Sequence, residues 1–96
     1  MPASSFSNFS IDTLVNQGPT LLYGLDILAS AVGGDVTLYE GLDSLSGRKI
    51  GAYKGATNIT IPIRFTPELF LARGLYADVG SSISEVTIYY SPHRTK

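Results

Sequence analysis

Residues 74–90 read GLYADVGSSISEVTIYY, two alternating segments separated by a glycine-serine turn. Successive side chains of a β-strand point to opposite faces, so this alternation is typical of a strand with one buried face. The inward positions are apolar and are taken by Leu75, Ala77, Val79, Val86, Ile88 and Tyr90. The outward positions carry Tyr76, Asp78, Glu85, Thr87 and Tyr89. The stretch therefore predicts a half-buried antiparallel hairpin.

Similar segments recur along the chain at intervals of about 8–12 residues, with turns rich in Gly and Ser. Pro62 lies within the alternating segment 58–65 and has no N–H to donate, so this segment is predicted either to be an edge strand or to have position 62 turned outward. Gly24 lies inside the apolar segment 20–30 and indicates a bulge or a close backbone approach. The whole pattern predicts an all-β fold, a single antiparallel β-sandwich or jelly roll of about seven to eight short strands.

A weak internal repeat appears at an offset of 50 residues, where residues 24–40 align without gaps with residues 74–90. Identical pairs are Gly24/Gly74, Leu25/Leu75, Val36/Val86, Thr37/Thr87 and Tyr39/Tyr89. One interpretation is two matching hairpins related by a pseudo-twofold axis. The other is that strands simply favour β-branched and aromatic residues, which produces similarity without duplication.

The chain of 96 residues is the size of one domain. Residues 1–10 are rich in Ser and uncharged, so they are predicted to form a flexible N-terminal arm ahead of a sandwich over residues 11–91. Residues 92–96 are predicted to be a short tail. Phe6 and Phe9 are unusual in a solvated arm, and they are expected to pack either on a neighbouring subunit or back on their own sandwich.

The composition excludes several classes of protein. The sequence has no Cys, so disulfides and thiolate metal sites are excluded. It has no apolar run of the length needed to cross a bilayer and no signal-peptide pattern at residues 1–10, so we expect a soluble, unsecreted protein without a membrane partner. The net charge of −1 argues against nucleic acid as the main partner.

Charge is unevenly distributed along the chain. Residues 1–47 contain five acids and no base, whereas residues 48–96 contain seven bases and three acids. Either the two signs mix on the surface of an interleaved sandwich, or they pattern the surface for docking.

The residues available for catalysis are few. His93 is the single histidine and lies close to the C-terminus, so neither a nucleophilic triad nor a zinc site can be assembled. Glycines 33 and 34 precede a strand rather than a helix, which does not match a phosphate-binding loop. We therefore expect a protein that is not an enzyme and that binds no cofactor or metal.

Aromatic residues are the best candidates for a binding surface. The chain has six Tyr and no Trp, and Tyr39, Tyr53, Tyr76 and Tyr89 are predicted to face outward. Outward tyrosines suit a protein interface, a stacking platform for sugars, or cross-strand pairs that only cover the sheet. Together with the aromatics of the arm, the predicted interface residues are Phe6, Phe9, Tyr39, Tyr53, Tyr76 and Tyr89.

Residues 35–55, DVTLYEGLDSLSGRKIGAYKG, together with residues 74–90, resemble a pattern of very small tailed-phage proteins. There a D-V-T-L-Y-D-G strand, a G-L-Y-V-D-V strand and a closing V-T-V-x-Y strand recur over some ninety residues. The resemblance covers residues 24–90 and implies a β-sandwich virion accessory protein, such as a capsid decoration or cement protein. A minor tail protein is a further implication of the same resemblance.

The resulting hypothesis is a structural virion protein, made in the host cytoplasm, that oligomerises and binds another virion protein such as the major capsid protein. A trimer is favoured because homo-oligomers usually have closed symmetry and a decoration protein would suit a local threefold. The alternative is a carbohydrate-binding or receptor-binding β-sandwich module that uses its tyrosines as a sugar platform.

Overall fold

A computed structural model describes residues 5–31 and 33–92, and within them the chain forms eight strands and no helix. The all-β class and the number of strands predicted from the sequence are confirmed. The strands are β1 (Ser5–Phe9), β2 (Thr13–Gln17), β3 (Thr20–Ala29), β4 (Asp35–Glu40), β5 (Arg48–Lys54), β6 (Thr60–Leu71), β7 (Gly74–Val79) and β8 (Ile83–Pro92).

The strands form two four-stranded antiparallel sheets, which we name sheet A and sheet B. Sheet A has the order β1-β8-β3-β6, and sheet B has the order β2-β7-β4-β5. Among these strands only β4 and β5 are consecutive in the chain and paired with each other. Every other connection crosses between the sheets, which is the strand order of a jelly roll.

The predicted hairpin over residues 74–90 is wrong in its pairing, although both of its strands exist. Strand β7 pairs with β2 and β4 in sheet B, whereas β8 pairs with β1 and β3 in sheet A. The chain crosses the sandwich between the two strands. Alternation determines which face of a strand is buried, and in a sandwich strands of opposite sheets face the same core. It therefore could not distinguish a hairpin from a crossing.

The internal repeat corresponds to an equivalence between strands four apart. Sheet A has the order β1-β8-β3-β6. Adding four to the numbers of β1 and β3, and subtracting four from those of β8 and β6, gives β5-β4-β7-β2, which is the order of sheet B reversed. Aligned residues also have matching burial, since Leu25, Leu75, Val36 and Val86 are all fully buried. The two halves of the chain thus occupy equivalent places in opposite sheets, as the pseudo-twofold interpretation requires. The repeated unit is a crossing between sheets, not a hairpin.

The core lies between the sheets and consists of the inward side chains of five strands. Its buried members are Leu22, Leu25, Ile27, Val36, Leu38, Leu71, Leu75, Ala77, Val86 and Ile88. In the part of the chain that the structure describes, each buried side-chain nitrogen or oxygen has a hydrogen-bond partner. The apolar core and the satisfied polar groups together account for a fold without disulfides.

The N-terminal segment differs from the predicted arm over residues 1–10. Ser5–Phe9 is strand β1, which pairs with β8 over five residue pairs at the edge of sheet A. Phe9 points inward and packs against the core, whereas Phe6 points outward and is 70% exposed. The segment therefore folds back on its own sandwich, which is the alternative that the aromatic residues left open. Residues 1–4 lie outside the described residues.

The C-terminal boundary also shifts, because β8 extends to Pro92, which the sequence assigned to the tail. Residues 93–96, including His93, lie outside the described residues.

Two local predictions are confirmed. The pairing of β3 shifts register between Leu22 and Gly24 on both of its sides, so Gly24 marks a bulge. A Cβ added at Gly24 would collide with the carbonyl oxygen of Ile63 and lie 2.9 Å from Cδ of Arg64, so the backbones approach closely there. Pro62 is exposed on β6, an edge strand of sheet A.

Candidate functional site

The six predicted interface residues do not form one surface. Two lie on the outer face of sheet B, two lie on the outer face of sheet A, and two point into the sandwich. Tyr39 and Tyr76 lie on the outer face of sheet B, where they are cross-strand neighbours. Tyr89 and Phe6 are neighbours on the outer face of sheet A. Phe9 and Tyr53 point into the sandwich. The structure therefore presents two separate outer faces, each with its own aromatic pair.

The outward orientation predicted for Tyr53 is wrong. Its ring packs against the core and meets the ring of Phe65 edge-on, with centroids 6.0 Å apart and planes at 75°. Burial raises the pKa of Tyr53. The cause lies in the β4–β5 pairing, which shifts register between Leu38 and Tyr39 and so allows both Ile50 and Tyr53 to face inward. A bulge of this kind reverses the alternation and leaves no clear signal in the sequence.

A row of side chains crosses the outer face of sheet B from edge to edge, and we call it the tyrosine row. It contains one residue from each strand, in the order Leu14, Tyr76, Tyr39 and Lys49. Leu14 is 41% exposed, so the row offers apolar and aromatic area to a partner. Tyrosine contributes such area at a low entropic cost, because it has only two rotatable side-chain bonds.

Acidic residues lie on one side of the tyrosine row. Asp12 precedes β2 and Asp78 belongs to β7. Burial, the charge of Asp12, a hydrogen bond with Asp12 and the charge of Asp35 raise the pKa of Asp78. Asp12 also accepts a hydrogen bond of 2.7 Å from the backbone N–H of Val79, which fixes its position. The β2–β7 side of this face is therefore acidic.

Basic residues lie on β5, at the edge of the sheet opposite β2. Lys49 and Lys54 of β5 are both exposed, and they are opposite Tyr39 and Asp35 of β4 in the sheet. The charge difference between the two halves of the chain is kept on this face only in part, because Asp12 lies in the acidic half and the lysines in the basic half, whereas Asp78 is an acid of the basic half. The β2–β7 side of the face carries Asp12 and Asp78, its centre is aromatic, and its β4–β5 side carries two lysines and Asp35.

The loop between β4 and β5 borders the same face. Asp43 accepts hydrogen bonds at Oδ1 from the backbone N–H groups of Leu45 (3.0 Å) and Ser46 (2.7 Å) and from the Ser46 hydroxyl (2.8 Å). These bonds, the one from the Ser46 N–H foremost, lower the pKa of Asp43. The turn that they hold exposes Leu42 by 48% and Leu45 by 95%. Burial and the charges of Asp12, Asp78 and Asp43 raise the pKa of Tyr76, so the loop lies near the tyrosine row.

The outer face of sheet A is organised around Arg64. Its Nη1 donates to Oδ1 of Asp26 at 2.9 Å, and its guanidinium lies 5.1 Å from the centroid of the Tyr89 ring. The Tyr89 hydroxyl donates to Oδ2 of Asp26 at 2.8 Å, and this bond is the main cause that raises the pKa of Tyr89. The absence of a side chain at Gly24 leaves room for Arg64 to lie across β3. Tyr89 is therefore held in place and covered on one side.

A shallow polar groove continues along sheet A. Asn8 of β1 donates to Glu85 Oε2 at 2.6 Å and to Thr87 Oγ1 at 2.8 Å, which ties the edge strand to β8. The groove has a volume of about 220 Å3 and is lined by Asp26, Leu28, Thr60, Glu85 and Thr87. Its carboxylates are already hydrogen-bonded within the sheet, so it offers a ligand few unused groups.

The chain matches no protein-family model, and it has no significant match among curated proteins or solved structures.

Among the described residues, no group of three or more His, Cys, Asp or Glu side chains is placed to hold a metal ion. None of the described elements is a helix long and apolar enough to span a membrane. Asp12 and Asp78 form a close pair on an open sheet face, where Asp12 is exposed and Asp78 is half-buried.

The polar residues that define the two faces were missed in the sequence. Arg64 and Asp26 are 38 positions apart, and only the β3–β6 pairing brings them together. The alternation of the sequence assigns Lys49 and Asp78 to strands, but it does not reveal that the two residues share the outer face of one sheet. The charge difference between the two halves of the chain agrees with the signs of Asp26, Lys49 and Arg64, but not with that of Asp78, an acid in the basic half.

Proposed function

We propose that this chain is a non-enzymatic structural protein of a virion, which oligomerises and binds another virion protein such as the major capsid protein. The observation that carries the proposal is the presence of aromatic and charged side chains on both outer faces of one thin sandwich. The molecule measures 44 × 30 × 19 Å along its principal axes. A protein with docking surfaces on both flat sides can join two neighbours.

Each face has residues that suit a protein partner. On sheet A, Phe6 is 70% exposed beside Tyr89, and the adjacent Arg64 and Asp26 supply charge for orientation. On sheet B, the tyrosine row lies between an acidic and a basic side. Aromatic residues and Arg are enriched in protein interfaces and carry much of their binding energy.

The jelly-roll order is compatible with this role but does not decide it. Jelly rolls occur in viral capsid domains, in lectins and in cupins, so the fold alone is an analogy. The resemblance of residues 24–90 to small tailed-phage proteins favours the virion among these. Because both outer faces carry aromatic and charged side chains, the cement-like role is preferred.

The test is the composition of purified particles of the virus that encodes the chain. We expect quantitative mass spectrometry to find the protein in fixed proportion to the major capsid protein. Phe6→Ser should reduce its incorporation into particles, whereas Leu45→Ser, a matched change in the loop beside sheet B, should reduce it less. A protein that is expressed in infected cells but missing from particles refutes the proposal.

One observation favours a second candidate, a carbohydrate-binding module. Tyr39 and Tyr76 are adjacent on an open face with the carboxylates of Asp12 and Asp78 nearby, a combination that can stack on a sugar ring and accept hydrogen bonds from its hydroxyls. A glycan array tests this candidate. Tyr39→Ala should abolish the signal and Tyr89→Ala should not, because Arg64 already covers the Tyr89 ring. An array without any bound glycan excludes it.

A further inference from the structure

We infer that a second copy of this chain docks on the outer face of sheet B, with a twofold axis that runs parallel to the strands and passes between β7 and β4. This inference rests on the proposed function and names the first partner in its assembly. Sheet B has four strands, so such an axis divides it evenly. Strand β4 then lies over β7 of the other copy, and β5 lies over β2.

The positions of the charged side chains favour this orientation over a twofold axis perpendicular to the strands. Rotation about an axis parallel to the strands reverses their order across the interface, so β5 lies over β2 of the other copy. Lys49 then faces Leu14, and Asp12, two positions before Leu14, lies between the levels of Lys49 and Lys54. An axis perpendicular to the strands would keep the order and would place lysine over lysine. Like charges opposed across an interface are strongly unfavourable. Of these two orientations, the first is the one that brings opposite charges together.

The aromatic centre fits the same arrangement. Tyr39 lies on β4 and Tyr76 on β7, on either side of the proposed axis. Each Tyr39 then lies over Tyr76 of the second copy, so two tyrosine pairs form at the middle of the interface. Binding energy in protein complexes is concentrated in central aromatic residues that charged residues surround.

The expected affinity is modest. Four strands spaced about 4.8 Å apart give a face about 19 Å wide, and six residues extend about 20 Å along the strands. A face of this size covers about 380 Å2 in each copy, or about 760 Å2 in total, which is below standard specific interfaces and typical of weak and transient contacts. We therefore expect a dimer that forms at micromolar concentration and above. The sequence alone favoured a trimer, whereas the charge arrangement of this face fits a twofold.

The dimer would be bivalent. Sheet A lies on the opposite side of each copy, so docking through sheet B leaves both sheet A faces exposed and pointing away from each other. Two exposed Phe6 side chains and two Arg64–Asp26 pairs would then be available to neighbouring subunits. Such a dimer is suited to linking two positions on a particle surface.

A charge-swap experiment tests the inference by sedimentation equilibrium over micromolar to millimolar concentrations. One variant combines Lys49→Glu with Lys54→Glu, and the other combines Asp78→Lys with Asp12→Asn, which keeps an oxygen to accept the Val79 bond. Each variant alone should be monomeric, because the first has lost its basic edge and the second has lost the carboxylate that this edge faces. Their equimolar mixture should form heterodimers at least as tightly as the wild type. Glu68→Lys on β6 changes the net charge away from this face and should leave the wild-type dimer intact.

A second measurement isolates the aromatic centre. Tyr39→Ala should raise the dissociation constant at least about tenfold, since central tyrosines are typical hot spots. Circular dichroism confirms that each variant is folded. A wild type that is monomeric throughout, a trimer, or a mixture that remains monomeric overturns the inference. A monomer that binds a glycan through Tyr39 also overturns it.

The outcomes separate this inference from the proposed function. A protein that is monomeric in solution but present in purified particles overturns the dimer and leaves the virion role standing. A charge-swapped dimer that is missing from particles overturns the virion role and leaves the dimer standing.

Discussion

Phe9 and Phe6 provide a decisive comparison, because they lie on the same edge strand and point in opposite directions. Phe9 packs against the core, whereas Phe6 is 70% exposed on the outer face of sheet A. Phe9→Ala should destabilise the protein, and Phe6→Ala should leave the free energy of unfolding almost unchanged. If residues 1–10 were a flexible arm, neither change would matter for stability.

The magnitude follows from the burial of each ring. Removing a fully buried Phe costs about 3–5 kcal/mol in protein cores. Phe9 is only partly buried at the edge of a sheet, so about half of that loss, roughly 1.5–2.5 kcal/mol, is expected. Surface substitutions such as Phe6→Ala usually stay within about 0.5 kcal/mol.

Urea denaturation followed by far-UV circular dichroism measures both variants. With a denaturant slope of about 1 kcal/mol per molar for a small domain, Phe9→Ala should lower the midpoint by about 1.5–2.5 M at an unchanged slope. Phe6→Ala is the matched control and should shift the midpoint by less than about 0.5 M. Equal midpoints for Phe9→Ala and the wild type would refute the docking of β1. A reduced slope would indicate instead that β1 unfolds separately from the sandwich.

Three further predictions concern other parts of the fold. Glu40→Ala should lower the free energy of unfolding by about 1–3 kcal/mol, because the buried carboxylate accepts hydrogen bonds of 2.7 Å from Arg48 and 2.8 Å from the Ala72 N–H. An unchanged midpoint of urea denaturation would contradict this. Gly24→Ala should lower the free energy of unfolding by about 1–3 kcal/mol, because the added Cβ collides with the backbone of β6. An unchanged free energy of unfolding would exclude the close approach of β3 and β6 at this point. The raised pKa of Asp78 gives a contribution to stability that is complete below its ordinary value of 3.8 and is lost as the pH rises through the folded-state pKa. The difference in free energy of unfolding between Asp78→Asn and the wild type should therefore grow in favour of the variant from pH 3.5 to pH 7. If the two free energies change with pH in parallel, the raised pKa of Asp78 is contradicted.

The sequence was informative about burial and much less so about pairing. Alternation identified the inward residues of β7 and β8, and Leu75, Ala77, Val86 and Ile88 are all fully buried. It could not reveal that these strands belong to different sheets, because pairing depends on contacts distant in the chain. Gly24 and Pro62 were interpreted correctly, since each imposes a backbone constraint that needs no knowledge of its neighbours.

The candidate site was predicted in part for the same reason. Tyr39, Tyr76 and Tyr89 were assigned to outer faces, and all three lie there. Their division between two faces follows from the topology alone. Tyr53 was misassigned because a register shift in the β4–β5 pairing changes which side chains face inward. Irregular pairing is invisible to a pattern of period two.

The pseudo-symmetry of the chain makes the difference between its two faces interpretable. Tyr39 and Tyr89 are equivalent in the repeat. Tyr39 points outward from β4, which follows the crossing from β3, and Tyr89 points outward from β8, which follows the crossing from β7. Tyr89 is held by Asp26 and covered by Arg64, whereas Tyr39 stands beside a second tyrosine. An aromatic ring that is already fixed loses little entropy when a partner binds, but it also offers less new area. If equivalent halves have diverged in this way, the face with Tyr39 is the one adapted to bury aromatic surface. For this reason, the tyrosine row of sheet B is the surface on which self-association should first be sought.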